Sequence, residues 1–561
     1  MGFVRTAGGG MVTTIKIMMN GKQLVVPSGV RIEELLTRAP HRGRFTPLGV
    51  VVSNRLDGLY YSVRGSSDIE TIDISRREGM DIYRRTASTI LYAALAEIAP
   101  GARAIVGQSV GSGYFFEVHG HAVDPEFISE LERRIQEIVA ADLPMEPEWM
   151  QVEKAVEIFK EQKMHDSVKL LRQQRRSECP VIALGSYRGF STGVFASRTG
   201  LVESFRLHPY EHGIVLDFPD ENGTLASEVR PEPKIFATYL ETKRWNELIG
   251  IRNVADLNEH CMGGGAQDLV HVAEALHEKK IAAISDEIAG RRNTRLILIA
   301  GPSGSGKTTF TKRLAIHLKI HGLEPVAISM DHFYLDREAT PRHPDGSYDF
   351  ECLEALDVKL FNEQVQRLIH GEEAVIPHYS FPMGRRDAAK TVRMKLKRDQ
   401  ILMAEGIHGL NEALTPMIPT ENKFKIYVSA LTQLCIDDHN RIFTTDTRLC
   451  RRILRDRLFR GTSAADTIAG WRSVRAGENR YIFPFQGESD VIFNSALSYE
   501  HALFKPYAER FLAEVPREHP SFMEAARLVR FFQLFLPILT MEVPHASILR
   551  EFIGGSAFKY T

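Results

Sequence analysis

The sequence lacks paired cysteines, long apolar runs and a strong charge of either sign. Its five cysteines are scattered along 561 residues without a C-x-x-C pair, which argues against a disulfide framework or a structural zinc site. No stretch approaches about 18 consecutive apolar residues, so no membrane-spanning helix is predicted. The formal net charge of -1 gives no overall attraction to nucleic acid or membrane, and such a partner must be held by a local patch. We therefore expect a cytoplasmic protein.

The length of the chain predicts several domains, because 561 residues are too many for one hydrophobic core. After a flexible leader over 1–12, short β-rich runs around one helix predict a small, ubiquitin-like α+β domain over 13–75. Helical and strand-like stretches alternate over 76–225 and predict a second α+β domain. Residues 226–290 are expected to form a helical linker, and residues 516–561 a helical tail.

Residues 291–515 have the pattern of a parallel β-sheet wrapped by helices. Five apolar stretches alternate there with helical ones: RLILIA, PVAISM, QILMAEG, KFKIYVSA and SDVIFNS. Such alternation is typical of an α/β domain. We therefore predict a multidomain α/β protein whose parallel sheet lies in its C-terminal half.

The segment GPSGSGKTTF (301–310) follows the first of these strands and completes the pattern G-x-x-x-x-G-K-[ST]. Glycines let consecutive backbone N–H groups surround phosphate oxygens, while the lysine adds a positive charge and the threonine hydroxyl can ligate Mg²⁺. The nucleotide-binding residues predicted here are Gly301, Ser303, Gly304, Ser305, Gly306, Lys307, Thr308 and Thr309. The loop predicts binding of a nucleoside triphosphate.

Two carboxylates follow neighbouring apolar strands. Asp331 comes after PVAISM and Glu405 ends QILMAEG. Ligands of open α/β sheets bind at the carboxyl ends of the strands, so both acids are candidates for metal binding or for catalysis. The alternative interpretation is that either acid caps a helix.

A run of arginines over 446–461 predicts a helix that closes over phosphates. On this helix four arginines share one face, with no acid matching them on that stripe: Arg448, Arg451, Arg452 and Arg455. One guanidinium group can donate two parallel hydrogen bonds to a phosphate, which favours the interpretation of this helix as a lid over phosphates. A solvated helix face is the alternative.

These segments, together with SMDHFY, DFECLEALD, PHYSF and AEGIHGLN, resemble the uridine kinase and phosphoribulokinase family of P-loop kinases over about 295–515. The resemblance implies ATP and Mg²⁺ as cofactors. It implies that Thr308, Asp331 and Glu405 bind the metal. Asp331 would also orient or deprotonate the acceptor hydroxyl, with Lys307 acting on the phosphates. The lid arginines implied in the same way are Arg452, Arg455 and Arg460.

The same resemblance implies an acceptor site that departs from that of a uridine kinase. Tyr379 and Phe381 match aromatic residues that border the acceptor's base, and Glu351 falls near an aspartate that binds the ribose diol. A base-reading histidine is replaced by Gly384, followed by Arg385 and Arg386, and a base-reading arginine is replaced by Thr462. Hydroxyl phosphorylation is therefore supported, whereas uridine itself is not.

Residues 51–95 resemble the start of threonyl-tRNA synthetase, where a TGS domain precedes an editing domain, and the similarity continues to about 225. Editing in that family uses two histidines on the first helix and a later cysteine and histidine. Arg85, Thr89, Ser191 and Phe195 stand at these positions here. We therefore predict that this region does not hydrolyse aminoacyl-tRNA, and that it senses a ligand, contacts RNA or packs against the kinase.

The favoured function is an ATP-dependent kinase that phosphorylates a hydroxyl group of a nucleoside resembling uridine or cytidine. Two alternatives stay open. Arg385 and Arg386 suit an acceptor that is already phosphorylated, as in phosphoribulokinase. A nucleotide-switched, RNA- or ribosome-associated protein is the other alternative, although the N-terminal half has no concentrated basic stripe.

Overall fold

The computed structural model describes residues 2–5, 11–343, 346, 348–380 and 382–560. The first region contains strands β1 (Gly2–Arg5), β2 (Met11–Met19), β3 (Lys22–Pro27), β4 (Val30–Arg31), β5 (Gly49–Val52), β6 (Arg55–Gly58), β7 (Ser62–Val63) and β8 (Asp68–Ile72), with helix α1 (Ile32–Leu35) after β4. Its main sheet has the order β1-β2-β8-β5-β6, and β3 also pairs with β2. Ile15 and Ile17 alternate along β2 and point into the core with Val50 and Ile69.

The prediction of a flexible leader over 1–12 is wrong in part. Residues 2–5 pair antiparallel with β2, whose first residues are Met11 and Val12. Backbone hydrogen bonds of this ladder hold both stretches in the sheet. Residues 1 and 6–10 lie outside the described residues.

The second region packs two long helices against an antiparallel sheet. Its elements are α2 (Arg77–Ile98), β9 (Arg103–Val110), β10 (Gly113–His119), α3 (Pro125–Ala140), β11 (Glu148–Gln151), α4 (Val152–Glu161), α5 (His165–Gln173), β12 (Glu178–Leu184), β13 (Tyr187–Phe190), β14 (Arg206–Tyr210) and β15 (Gly213–Asp217). The four-stranded sheet has the order β14-β15-β10-β9, and β11-β12-β13 form a smaller sheet. Ile90 of α2, Leu131 of α3 and Phe116 of β10 lie in one core.

The segment expected as a helical linker is helical but is packed into the C-terminal half. It forms α6 (Pro233–Leu248), α7 (Val254–Met262) and α8 (Ala266–Gly290). Ile281 and Ile288 of α8 share a core with Ile297 and Phe310 of the parallel-sheet region. Because α8 buries its apolar face there, it is part of that core rather than a free connection.

The C-terminal half contains the predicted parallel sheet. Its strands are β16 (Leu296–Ala300), β17 (Glu324–Ser329), β18 (Ala374–Ile376), β19 (Tyr379–Ser380), β20 (Arg385–Arg386), β21 (Val392–Met394), β22 (Gln400–Glu405), β23 (Lys423–Ser429), β24 (Cys435–Asp437), β25 (Asn440–Arg441) and β26 (Val491–Asn494). The five-stranded sheet has the order β17-β22-β16-β23-β26, and every neighbouring pair is parallel. All five predicted strands are confirmed.

Helices cover this sheet, and the C-terminal tail joins the same core. The helices are α9 (Lys307–Ile320), α10 (Val358–Ile369), α11 (Thr444–Phe459), α12 (Ala464–Tyr481), α13 (Glu500–Ala513), α14 (Phe522–Phe532) and α15 (Arg550–Ile553). Phe532 and Phe552 of the tail pack beside Leu503 of α13. Within the described residues, none of the helices combines the length and the apolar character needed to cross a membrane.

The N-terminal half packs against the parallel-sheet region through polar and backbone contacts. The amide of Val106 in β9 donates to the carbonyl of Asp438, 2.8 Å away. The hydroxyl of Tyr187 lies 2.9 Å from Nδ1 of His439. Arg77, at the start of α2, lies 3.1 Å from Asp446 of α11. The two halves therefore meet at the segment that leads into α11.

Candidate functional site

The loop 301–306 curls between the end of β16 and the start of α9. Gly304 and Gly306 have φ angles of +74° and +82°, a conformation that side chains with a Cβ disfavour. A Cβ at Gly301 would lie 2.0 Å from the carbonyl oxygen of Val428. The ammonium of Lys307 donates to the carbonyl oxygens of Gly301 and Pro302, 2.8 and 3.1 Å away. The loop thus has the backbone conformation that the sequence pattern predicted, with its lysine turned onto the loop.

The structure brings the predicted metal-binding residues to the carboxyl edge of the sheet. The hydroxyl of Thr308 donates to Oε1 of Glu405 at 2.8 Å. Asp331 lies in a short 3₁₀ turn, Met330–Phe333, directly after β17. Because β17 and β16 both flank β22, these groups face one edge of the sheet.

Burial and mutual charge set the ionisation of this group. Burial raises the pKa of Asp331 and of Glu405, and the ammonium of Lys307 opposes that rise in both. Burial lowers the pKa of Lys307, while Glu405 and Asp331 favour its charged form. The lysine therefore lies within electrostatic range of both carboxylates, as phosphoryl transfer requires.

This donor set fits Mg²⁺. Hydroxyl and carboxylate oxygens are the hard ligands that Mg²⁺ prefers, and the ion is commonly held by one or two carboxylates together with substrate phosphates. Among the residues that the structure describes, no group of three or more His, Cys, Asp or Glu side chains could hold a metal alone. A cation at Thr308, Glu405 and Asp331 would accordingly share its coordination with phosphate oxygens.

The three lid arginines are gathered by one carboxylate, Asp456. Nη2 of Arg455 lies 3.1 Å from Oδ1 of Asp456, Nε of Arg452 lies 3.2 Å from Oδ2, and Nη1 of Arg460 lies 3.6 Å from Oδ1. Arg452 also donates to the hydroxyl of Ser303 at 2.9 Å. Asp456 therefore gathers the three guanidinium groups, and Arg452 connects this group to the loop.

The interpretation of the α11 arginines as one open face without matching acids is wrong. Arg448 is fully buried, forms an ion pair with Glu478 and donates to the carbonyl of Ser303 at 3.0 Å. Arg451 is also fully buried and pairs with Glu500 at 2.7 Å. Two of the four arginines thus anchor α11 to the loop and the core.

The site contains a carboxylate that sequence reasoning missed. Glu478 of α12 accepts the amide N–H of Ser303 at 3.0 Å in addition to its ion pair with Arg448. No motif surrounds Glu478, and its partner is 30 positions away in the sequence. Only the packing of α12 against the loop reveals its role.

Two of the predicted acceptor residues, Glu351 and Tyr379, lie in the described part of the chain. Burial, with the nearby Glu478, raises the pKa of Glu351 to about 7, while Arg452 opposes the rise. Tyr379 is buried, and its ring centroid lies 5.6 Å from that of Tyr334. Phe381 lies outside the described residues.

The structure separates the two arginines of the predicted acceptor loop. Arg386 donates to the carbonyl oxygens of Tyr334 and Phe333, at 3.1 and 3.0 Å, and pairs with Asp357 at 3.2 Å. Its donors therefore hold the hairpin in place. Arg385 is exposed and makes no ion pair with a described residue.

The C-terminal tail reaches the first turn of α9. Oε2 of Glu551 accepts hydrogen bonds from the hydroxyl and the amide of Thr309, at 2.6 and 3.3 Å. The hydroxyl of Tyr560 lies 2.9 Å from the same threonine hydroxyl. A Cβ at Gly306 would lie 2.6 Å from Ile548. The tail thus places a carboxylate on the turn predicted to bind nucleotide phosphates.

At the four positions that replace editing residues, the three polar side chains donate hydrogen bonds to backbone carbonyl oxygens and the fourth side chain is apolar. Arg85 donates to the carbonyl of Val194 at 2.7 Å, and the hydroxyl of Thr89 donates to the carbonyl of Arg85 at 3.0 Å. Ser191 donates to the carbonyl of Gly193 at 3.0 Å, and Phe195 is buried.

Comparison with known proteins assigns the two halves to different relatives. Residues 296–500 match the model of the Phosphoribulokinase / Uridine kinase family. The N-terminal region matches threonine–tRNA ligases. That of Syntrophotalea carbinolica is 25% identical over 158 residues, which are 28% of this chain and 25% of the relative. That of Aquifex aeolicus is 25% identical over 199 residues, 34% of this chain and 31% of the relative.

The chain thus spans about a quarter to a third of the length of these curated relatives. Among solved structures, a possible uridine kinase from Bacillus stearothermophilus is 16% identical, with a TM-score of 0.26, over 38% of this chain and 97% of that chain. D-glycerate 3-kinase from Cryptococcus neoformans is 16% identical, with a TM-score of 0.21, over 46% of this chain and 88% of that chain. Residues 296–500 thus match the Phosphoribulokinase / Uridine kinase family, and they follow an N-terminal region similar to part of threonine–tRNA ligases.

Proposed function

We propose that the protein transfers the γ-phosphoryl group of ATP to a hydroxyl group of a nucleoside-like small molecule. One observation carries the proposal: Lys307, the Thr308–Glu405 pair and Asp331 converge at the carboxyl edge of the parallel sheet. A lysine, a hydroxyl–carboxylate pair and a second carboxylate beside a phosphate-binding loop are the parts that phosphoryl transfer to an alcohol needs.

The reaction requires one bond to form and one to break. The acceptor oxygen bonds to the γ-phosphorus while the bond from that phosphorus to the bridging oxygen breaks, leaving ADP with the electron pair. Asp331, which faces the carboxyl edge of the sheet, accepts the hydroxyl proton. Thr308, Glu405 and Asp331 would hold Mg²⁺, which when bound neutralises phosphate charge.

The positive groups of the site stabilise the moving phosphoryl group. The ammonium of Lys307 lies against the loop, and Arg452 contacts the same loop through its hydrogen bond to the hydroxyl of Ser303. Arg452 and Arg455 share Asp456, which preorganises both, and the more exposed Arg460 lies 3.6 Å from the same carboxylate. Preorganised charges cost no reorganisation when the transition state forms.

Glu351 and Tyr379 are the residues we expect on the acceptor side. Glu351 interacts electrostatically with Asp331 and Lys307, so it faces the same space as the reacting groups. A carboxylate there can accept hydrogen bonds from a sugar diol.

A second candidate acceptor is a sugar phosphate. The specific observation in its favour is Arg385, which is exposed on the β19–β20 hairpin and forms no ion pair with a described residue. An unpaired arginine beside the acceptor side suits an anionic group.

A panel of acceptors distinguishes these possibilities. ADP formation should be measured with Mg²⁺, ATP and either nucleosides or sugar phosphates, for the wild-type protein, Lys307→Ala and Lys319→Ala. Lys319 is exposed on the same helix and serves as the matched control. Acceptor-dependent turnover that Lys307→Ala loses and Lys319→Ala keeps would support the proposal. ATP binding without turnover on any acceptor, together with salt-dependent RNA binding, would favour the RNA-associated alternative.

A further inference from the structure

Two arginines stack on one tyrosine, and a third lies within electrostatic range of it, where the N-terminal half meets the parallel-sheet region. Arg84 and Arg85 lie on α2, Arg441 lies on β25, and Tyr114 lies on β10. The guanidinium carbons of Arg84 and Arg441 are 5.6 and 4.8 Å from the centroid of the Tyr114 ring. All three arginines oppose the rise in the pKa of Tyr114 that burial causes, so all three lie within electrostatic range of its hydroxyl. We call this group the arginine cleft.

The three guanidinium groups have no ion-pair partner among the described residues. Arg84 donates to the carbonyl of Ser112 at 3.4 Å, and Arg441 donates to the hydroxyl of Ser109 at 2.9 Å. The hydrogen bond of Arg85 also goes to a neutral carbonyl group. These hydrogen bonds to neutral partners do not offset the positive charges, and Asp81 offsets those of Arg84 and Arg85 only through space, without an ion pair to either.

Three polar atoms of the cleft are buried without a hydrogen-bond partner in the described part of the chain. They are Nε of Arg84, Nε of Arg441 and the hydroxyl of Tyr114. Burying a donor without a partner costs about 1–3 kcal/mol, so unsatisfied donors concentrated in one place indicate a missing acceptor.

Three carboxylates of this region form ion pairs with arginines outside the cleft. Asp446 and Glu524 both pair with Arg527 and with Arg77. Asp81 lies 3.8 Å from Arg77. These acids neutralise the neighbouring arginines and leave those of the cleft unpaired.

A further carboxylate, Asp217, accepts a hydrogen bond from the hydroxyl of Ser112 at 2.5 Å. It forms no ion pair with Arg84, although the backbone of Ser112 contacts that arginine. Arg84, Arg85 and Arg441 are each partly exposed, and Ser109 at the rim is exposed. Parts of the three arginine side chains are therefore open to solvent, while Nε of Arg84 and of Arg441 are buried.

We propose that the arginine cleft binds a phosphate group, either as free phosphate or on a small phosphorylated ligand. Three guanidinium groups with hydroxyl donors at Tyr114 and Ser109 offer more donors than one carboxylate can accept. A phosphate dianion both accepts these hydrogen bonds and offsets the positive charge that no ion pair neutralises. The site is separate from the P-loop.

The position of Arg441 gives the site a structural consequence. Arg441 is three residues before α11, the helix whose Arg452 contacts the loop at Ser303. A phosphate held by Arg441 and by α2 would bridge the N-terminal half to the segment that leads into the lid helix.

Substitutions at Ser109 test the proposal with little risk to folding, because this side chain is exposed. Ser109→Asp places a carboxylate beside Arg441, whereas Ser109→Asn is its neutral match in shape. Both should be made in full-length Lys307→Ala protein, which weakens phosphate binding at the P-loop. Binding of inorganic phosphate and of ribose 5-phosphate is then measured by calorimetry and by the rise in melting temperature.

We expect both probes to bind the Lys307→Ala and Ser109→Asn proteins, and Ser109→Asp to weaken binding at least tenfold. Tighter binding of ribose 5-phosphate would identify a phosphorylated small molecule as the ligand, and equal binding would identify free phosphate. Equal affinities of the Asp and Asn variants, or no binding to either Lys307→Ala protein, would overturn the proposal. The readout does not depend on kinase activity.

Discussion

The contact between Glu551 and Thr309 predicts that the C-terminal tail weakens ATP binding. Oε2 of Glu551 lies 2.6 Å from the hydroxyl and 3.3 Å from the amide of Thr309. That amide belongs to the first turn of α9, where unpaired N–H groups and the helix dipole favour an anion. A nucleotide phosphate must either displace the carboxylate or bind beside a like charge. Glu551→Gln should therefore tighten binding of Mg·ATP.

Coulomb's law gives the size of the effect. Two unit charges about 6 Å apart repel by roughly 3 kcal/mol at an effective dielectric constant of about 20. Glu551 is only partly buried and its side chain can turn away, so solvent screening reduces this to about 1–2 kcal/mol. The dissociation constant should fall by about tenfold.

The assay is titration of Mg·ATP into wild-type protein, Glu551→Gln and the control Glu518→Gln. Glu518 is an exposed residue of the same tail. We expect the control to match the wild type. Equal or weaker ATP binding by Glu551→Gln would refute the reasoning, because it would mean that the carboxylate does not compete with phosphate.

Three further predictions concern the site and its supports. Asp331→Asn should leave ATP binding nearly unchanged and lower kcat by orders of magnitude, and an effect on KM alone would exclude the proposed proton acceptor. Arg451→Met leaves Glu500 buried without its partner and should lower the free energy of unfolding by about 3–5 kcal/mol in urea titrations, whereas the exposed pair of Arg457 should be worth under about 1 kcal/mol. Glu351 keeps its proton up to about pH 7 in the folded protein but releases it near 4.5 when unfolded, so stability falls as pH rises between these values. Glu351→Gln should remove that part of the pH dependence of the melting temperature, and an unchanged profile would contradict the raised pKa.

The features that could be predicted from sequence are those that local patterns determine. Fully apolar runs such as Leu296–Ala300 correspond to strands buried on both faces, and the spacing of glycines in 301–306 corresponds to the observed loop. The Thr308–Glu405 contact agrees with the family resemblance, which implied that both residues bind the same metal ion.

The features that could not be predicted depend on partners distant in sequence. Arg448 and Arg451 have the spacing of a solvated or phosphate-facing helix stripe, yet Glu478 and Glu500 bury them. Their burial depends on how α12 and α13 pack, which no local pattern specifies. The contact of Glu551 with the loop likewise joins residues 242 positions apart.

The N-terminal half illustrates the same limit. The replacement of editing residues at Arg85 and Thr89 is visible in the sequence, and so is the loss of the usual polar groups. The convergence of Arg85 with Arg441 around Tyr114 is not, because it depends on the packing of two regions with different relatives.

Formation of a phosphorylated acceptor from ATP is the measurement that tests the central claim most directly. The product should be followed by ³¹P NMR with Mg·ATP and the best acceptor of the panel, for wild-type protein and Lys307→Ala. The account predicts a phosphomonoester signal that grows in step with ADP in the wild type and is absent from the variant. ADP and inorganic phosphate without a phosphomonoester, or equal product from Lys307→Ala, would contradict phosphoryl transfer by this loop.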